Sequence, residues 1–274
     1  MTSKLGIFYT CFTEKKAVEY SLEELYKHYP NIPVYLVSDG GSDYTFLKEK
    51  FPDKKLETKL EEDTRGIIAV IDRNIANKGE QRYSKKNITP MLYSINAFLK
   101  RIKDAIEYCN SEYLLIMEPD VLVRGKLNIN PNDKLLGSKI NPIKSYAPEI
   151  CEYMKNYEGA IEVTRYGCTP AIFKTSEFKK ILELLKKDTG LIERTYRLFC
   201  NFPYYDALLA VLFGYIGVEE KFNPDITECF RNPNWRNSKH PLLHQFRKYY
   251  PSKEEYNSLY ATPDHYILTE SFKL

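Results

Sequence analysis

Glu118 and Asp120, separated by Pro119, interrupt a run that is otherwise as apolar as a buried strand, YLLIMEPDVLV from Tyr113 to Val123. A strand needs neither charge for stability. Side chains two apart on a strand project to one side, so the spacing predicts that both carboxylates point together from its carboxyl end. Pro119 has no N–H and marks where ladder pairing stops. Two carboxylates so close repel. A divalent cation relieves that repulsion, and hard oxygen ligands with open positions suit Mg²⁺ or Mn²⁺ bound through a diphosphate. The plain alternative is a solvated strand-end turn that holds no metal.

Other residues could do chemistry. From Ala207 to Ile216, FPYYDALLAVLFGYIG is apolar nearly all round, which predicts a buried helix with Asp206 in its first turn, where the helix dipole favours a carboxylate. Kept ionised on a rigid helix, Asp206 could take a proton from a hydroxyl as a general base. Helix capping explains the same residue equally well, and one side chain can do both. In RNPNWRNSKHPLLHQFRKYY, His240 and His244 are four apart with Pro241 beside the first, so they need not share the helix face that a two-histidine zinc site wants. His244 is the better candidate. It offers an imidazole for a metal or a phosphate, followed by Arg247 and Lys248 to offset the charge of a leaving group. A surface basic cluster with aromatic anchors is the alternative, and Trp235 is either a sugar-stacking platform or a loop anchor.

These residues need elements to position them. LGIFYTC, Leu5 to Cys11, suits a first strand, and Thr13 then caps a helix whose Val18, Leu22, Leu25 and Tyr26 recur at helical spacing until Pro30 stops it. A second strand, Val34 to Val37, runs into Ser38, Asp39, Gly40 and Gly41, which suit a tight turn. Strand, helix, strand implies a parallel pair with a right-handed crossover, and ligands of such sheets bind beyond the carboxyl ends of the strands. Asp39 is therefore expected on the ligand side. Leu47 to Lys86 is charge-rich, with a strand expected at Gly66 to Ile71 and a polar loop after it. Thr89 as N-cap and Pro90 then open a helix with Met91, Leu92, Ile95, Phe98, Leu99, Ile102 and Ile106 on one stripe and Asn96, Lys100, Arg101 and Lys103 on the other face. It delivers the chain into YLLIM, which does not alternate and reads as a parallel strand buried on both faces. In YGCTPAIFKTSEF, Gly167 allows close backbone approach, Ala171 to Phe173 re-enter the core and Ser176 caps a helix.

Composition limits the classes. The 274 residues, 43% of them apolar, suit one enlarged domain. Forty Lys plus Arg against 37 Asp plus Glu is too even a balance to make nucleic acid the main partner. There is no signal-peptide core and no apolar run near the roughly 20 residues that span a bilayer, so the chain reads as soluble, without a transmembrane segment. Cysteines at 11, 109, 151, 168, 200 and 229 form no CxxC and read as reduced thiols of a cytoplasmic protein. The last residues carry Tyr and Lys enough for peripheral contact with a membrane surface but no clean amphipathic period.

In their order, LGIFYTC, VSDGGSD, the long helix into LLIMEPDVLV, YGCTPAIFKTSEF and YYDALLAVLFGYIG, the motifs resemble those of the GT-A glycosyltransferases, the broad family-2-like group in particular. The resemblance covers about residues 5 to 250. It implies an α/β, Rossmann-like fold with a mainly parallel central sheet flanked by helices. It also implies one domain over 1–250, with a nucleotide-sugar half at 1–125, an acceptor half at 126–250 and a tail at 251–274. The activity implied is metal-assisted, inverting transfer of a sugar from a nucleotide-diphosphate sugar, UDP-linked by expectation, to a hydroxyl of a glycan or glycoconjugate. Asp39 would meet the nucleoside, with Thr10, Arg101, Glu118 and Arg247 completing the donor side. Asp120, Glu118 and His244 would hold Mn²⁺ or Mg²⁺, and Asp206 would be the base. Glu118 stands where the family's D-x-D has its first Asp, which leaves Asp120 alone as an alternative ligand. Two other classes remain: a sugar-phosphate nucleotidyltransferase, whose Gly-rich basic signature YTCFTEKK lacks, and a non-catalytic sugar-binding or scaffold protein.

Overall fold

Apolar residues without alternation build the first parallel pair, β1 (Ser3–Cys11) and β2 (Val34–Asp39), on either side of helix α1 (Lys15–His28). The computed structural model describes residues 3–61, 89–137, 141–142, 149–163, 165–166, 170–198, 205–228 and 235–244, with backbone alone at 3, 89–91, 141–142, 165–166, 206, 228 and 235. The expected strand at Gly66–Ile71, the loop after it, Gly167, Arg247 and the tail lie outside the described residues. Val18, Leu22, Leu25 and Tyr26 are buried on α1, as their spacing predicts. Thr13 does not cap it. Glu14 occupies the cap position, and its longer side chain reaches back so that its carboxylate accepts the backbone N–H groups of Phe12 (3.1 Å) and Thr13 (2.9 Å).

Helix α2 (Phe46–Lys50) leads to β3 (Leu56–Glu61), parallel to β2. This strand lies inside the charged stretch where none was expected. Only Leu56 and Thr58 are buried in it, so the ladder with β2, rather than apolar alternation, holds it. Helix α3 (Thr89–Cys109) takes Thr89 into its first turn instead of leaving it as the cap, a shift of one residue. Ile95, Leu99, Ile102 and Ile106 are buried on it, and Asn96, Lys100 and Lys103 are exposed. Arg101, expected on that polar face, is instead 3% exposed. Asn110, at φ 46°, turns the chain from α3 into β4 (Ser111–Met117).

β4 lies parallel to β1 at the centre of the sheet. The apolar run does not continue as one strand. Val121 N–H donates to the Glu118 carbonyl at 2.9 Å, and β5 (Val121–Val123) then leaves for a smaller sheet. Pro119 sets the turn, so Glu118 and Asp120 are turn residues and strand alternation does not fix their directions. The remaining elements are β6 (Leu135–Gly137), β7 (Asn141–Pro142), α4 (Ile150–Met154), β8 (Arg165–Tyr166), β9 (Ile172–Lys174), α5 (Thr175–Lys187), α6 (Leu191–Arg197), α7 (Tyr205–Tyr215), β10 (Lys221–Phe222), β11 (Ile226–Glu228), a 3₁₀ turn at Trp235–Asn237 and β12 (Leu242–His244). Ser176 lies inside α5 and does not cap it. Lys174 holds the cap position, while the Thr175 hydroxyl donates to the Ser111 carbonyl at 2.8 Å and ties the helix to β4.

Among the described residues, seven strands form the central sheet in the order β10-β6-β9-β4-β1-β2-β3, with β9 antiparallel to both neighbours and the other pairs parallel. β12 runs antiparallel to β5 and parallel to β11 in the smaller sheet. One core packs α3, α5, α6 and α7 on Phe8, Val37, Leu114, Ile116 and Phe173; the other packs α1 on Ile7, Tyr9, Leu36, Leu115 and Met117. Helices on both faces thus cover a sheet whose carboxyl rim is built by loops.

Candidate active site

The four neighbouring parallel strands end at that rim in Glu61, Asp39, Cys11 and Met117. The first two loops are knitted together there. The Phe12 carbonyl accepts Ser42 N–H (2.7 Å), the Tyr44 hydroxyl (3.2 Å) and the Ser38 hydroxyl (3.3 Å). Gly41 is required by this closeness, because a Cβ at that position would overlap the Phe12 carbonyl. Gly41→Ala is therefore expected to cost about 1–3 kcal/mol through forced backbone shifts. A denaturation midpoint equal to the native one would contradict this.

Asp39 and Glu61 are register partners on β2 and β3, so their side chains share a face of the sheet, the one covered by α3. Arg101 reaches from α3 to both. Its Nη2 donates to Asp39 Oδ1 at 3.0 Å and its Nε to Glu61 Oε2 at 2.7 Å. Burial pulls the pKa of this guanidinium down, but its bonds to Asp39 and Glu61 outweigh that, and the net shift is upward. Thr10, in register with Val37 and 8% exposed, lies on the same face. Of the residues expected on the donor side, Thr10, Asp39 and Arg101 are thus brought together. Glu61 was missed; its only signal was the alternation of Glu57, Lys59 and Glu61.

Beyond β4 the turn places Glu118 half-buried and Asp120 4% exposed. Asp120 lies close enough to Tyr9 that, after burial and Cys11 and Glu14, its charge also helps to push the Tyr9 hydroxyl well above its ordinary pKa, against the lowering bond from Ser21. His244, also 4% exposed, pairs across the smaller sheet with Val121, the residue after Asp120, and on its other side with Glu228. Some 120 residues of chain separate His244 from Asp120, and the smaller sheet returns it to the turn. Among the described residues no three His, Cys, Asp or Glu side chains gather into a cation site. One buried carboxylate and one buried imidazole do fit an ion that takes its remaining ligands from diphosphate oxygens and water, as Mg²⁺ and Mn²⁺ do.

Asp206 lies in the first turn of α7, as expected, and its side chain lies outside the described residues. Its neighbour Tyr205 is fixed to α3, with its hydroxyl 2.6 Å from the Ser94 hydroxyl and its ring stacked on Phe98 at 4.6 Å. His240 is exposed and sits 3.1 Å from the Pro224 carbonyl through Nδ1. The Trp235 side chain lies outside the described residues. Cys11, Cys109 and Cys151 are buried, and burial pushes the Cys109 thiol up to about 12, which disfavours the thiolate that a nucleophile needs. Among the described residues no helix is long and apolar enough to cross a membrane.

No family model matches the chain, and no curated protein matches it in sequence. Its structure is similar to that of the galactosyltransferase LgtC in complex with donor and acceptor sugar analogs, at 14% identity over 95% of this chain and 99% of that one, with a TM-score of 0.50. It is also similar to the S. aureus protein TarS, at 14% identity over 89% of this chain and 38% of that one, TM-score 0.44. The glycosyltransferase GlyE of Streptococcus pneumoniae TIGR4 follows, at 12% identity over 99% of this chain and 64% of that one, TM-score 0.44. At such identities the likeness is one of fold. The chain has the GT-A fold, the class that the order of its motifs implied.

Proposed function

We propose that the chain is a glycosyltransferase that moves a sugar from a nucleotide-diphosphate sugar, a UDP-sugar by expectation, to a hydroxyl of a glycan or glycoconjugate. One observation carries the reading: a GT-A sheet brings Thr10, Asp39 and the Glu118–Asp120 turn to one rim, and β12 returns His244 beside that turn. Asp39 and Thr10 hold the nucleoside. Asp120 and His244 would hold Mn²⁺ or Mg²⁺, which when bound offsets the negative charge of the diphosphate, and Glu118 lies in the same turn. Arg247, three residues past His244, stabilises charge that grows on the leaving group. Asp206 takes the proton of the acceptor hydroxyl as it attacks the anomeric carbon opposite the leaving group, which gives inversion.

A panel of nucleotide sugars, followed by release of nucleoside diphosphate with and without Mn²⁺ in the presence of glycan acceptors, tests the reading. One donor should be turned over, and only with metal. Binding of a donor without any turnover would instead support a sugar-binding protein, and release of pyrophosphate from UTP and a sugar phosphate would support a nucleotidyltransferase. Asp206→Asn should lower transfer to the acceptor by about 10²–10⁴-fold and leave donor affinity unchanged. Undiminished transfer would reduce Asp206 to a helix cap.

A further inference from the structure

We infer that Glu61 and Arg101 form a clamp that positions Asp39 for the nucleoside, with Glu61 acting through Arg101. The inference rests on the reading of Asp39 as the carboxylate that meets the nucleoside. Asp39 and Glu61 end adjacent parallel strands in register, so two like charges stand about one strand spacing apart on one face. Arg101 lies between them, buried, from a helix rather than a loop. The fork geometry matters. With Nε held by Glu61 at 2.7 Å, the guanidinium cannot turn in its plane without losing a charge-assisted bond, so Nη2 addresses Asp39 from a fixed direction at 3.0 Å. Glu61 therefore acts on Asp39 through Arg101. Both are positioning residues in this arrangement.

Titration calorimetry of UDP, GDP and ADP, each with Mn²⁺, and of pyrophosphate with Mn²⁺ as the probe lacking a nucleoside, tests the clamp. Glu61→Ala should weaken the preferred nucleoside diphosphate about tenfold, the order seen when a residue that orients a ligand-binding group is lost. Pyrophosphate affinity should not change. Glu61→Gln keeps an oxygen that can accept the Nε–H and should restore most of the loss. Arg101→Lys cannot bridge both carboxylates and should behave as Glu61→Ala does. Native affinity for the nucleoside diphosphate in Glu61→Ala, or equal loss of both probes, would overturn the clamp; the second pattern is that of a purely structural residue or of a phosphate ligand. A native protein that takes up none of the probes would overturn the donor reading itself, and the clamp with it.

Discussion

Asp120→Ala should reduce turnover of the donor by about 10²-fold or more, the size of effect found when a group that stabilises developing charge in a transition state is removed. The reason lies in where the carboxylate sits. Asp120 is 4% exposed in a turn closed by the bond from Val121 N–H to the Glu118 carbonyl, and Val121 is itself paired with His244. Its position is thus set from both sides before any ligand arrives, which is what preorganised stabilisation requires. Glu118, half-buried in the same turn, should matter less, and Glu118→Gln should retain more activity than Asp120→Asn. Release of nucleoside diphosphate measures the effect, with melting curves to confirm that each variant folds. Equal turnover by Asp120→Ala and the native protein would remove the turn from the mechanism.

Arg101→Met should destabilise the protein by about 3–5 kcal/mol, because it strips the shared partner from two carboxylates of which one is almost wholly buried. For a chain of this size that corresponds to a fall in melting temperature of roughly 6–20 °C. Methionine keeps much of the stem's volume, so lost packing contributes little. The cause can be isolated by a cycle. If repulsion between Asp39 and Glu61 drives the loss, Arg101→Met combined with Glu61→Gln should melt higher than Arg101→Met alone. Additive losses from the two substitutions would mean that the three side chains do not act as a unit.

Much of the fold was legible because its interior strands are continuous apolar runs and its helices carry stripes: β1, α1, β2, α3 and β4 fall where Leu5–Cys11, Val18–Tyr26, Val34–Val37, Ile95–Ile106 and Tyr113–Met117 predict them. β3 was not legible. LETKLE carries three charges and is held by its ladder to β2, and no local pattern reports a neighbour's hydrogen bonds. The cap expected at Ser176 failed for a related reason, since Thr175 reaches Ser111, a partner that a window along the chain does not contain; the one expected at Thr13 failed locally, because the Glu14 carboxylate accepts the N–H groups of Phe12 and Thr13 just before it. At the rim, Asp39 could be placed from the strand-helix-strand order alone. The burial of Arg101 could not, because a cation on the polar side of a helical wheel looks exposed until two carboxylates from other strands stand over it. Glu118 and Asp120 were identified by type and spacing, and alternation does not set their directions because a proline turn follows the strand that ends at Met117. The return of His244 to that turn depends on β12 pairing with β5, a long-range contact.

The most direct measurement is a crystal structure of the native protein with UDP and Mn²⁺. The account predicts the cation at the turn, on Asp120 and His244, with the nucleoside against Asp39 at the end of β2. A nucleotide seated elsewhere, with that rim empty, would contradict it.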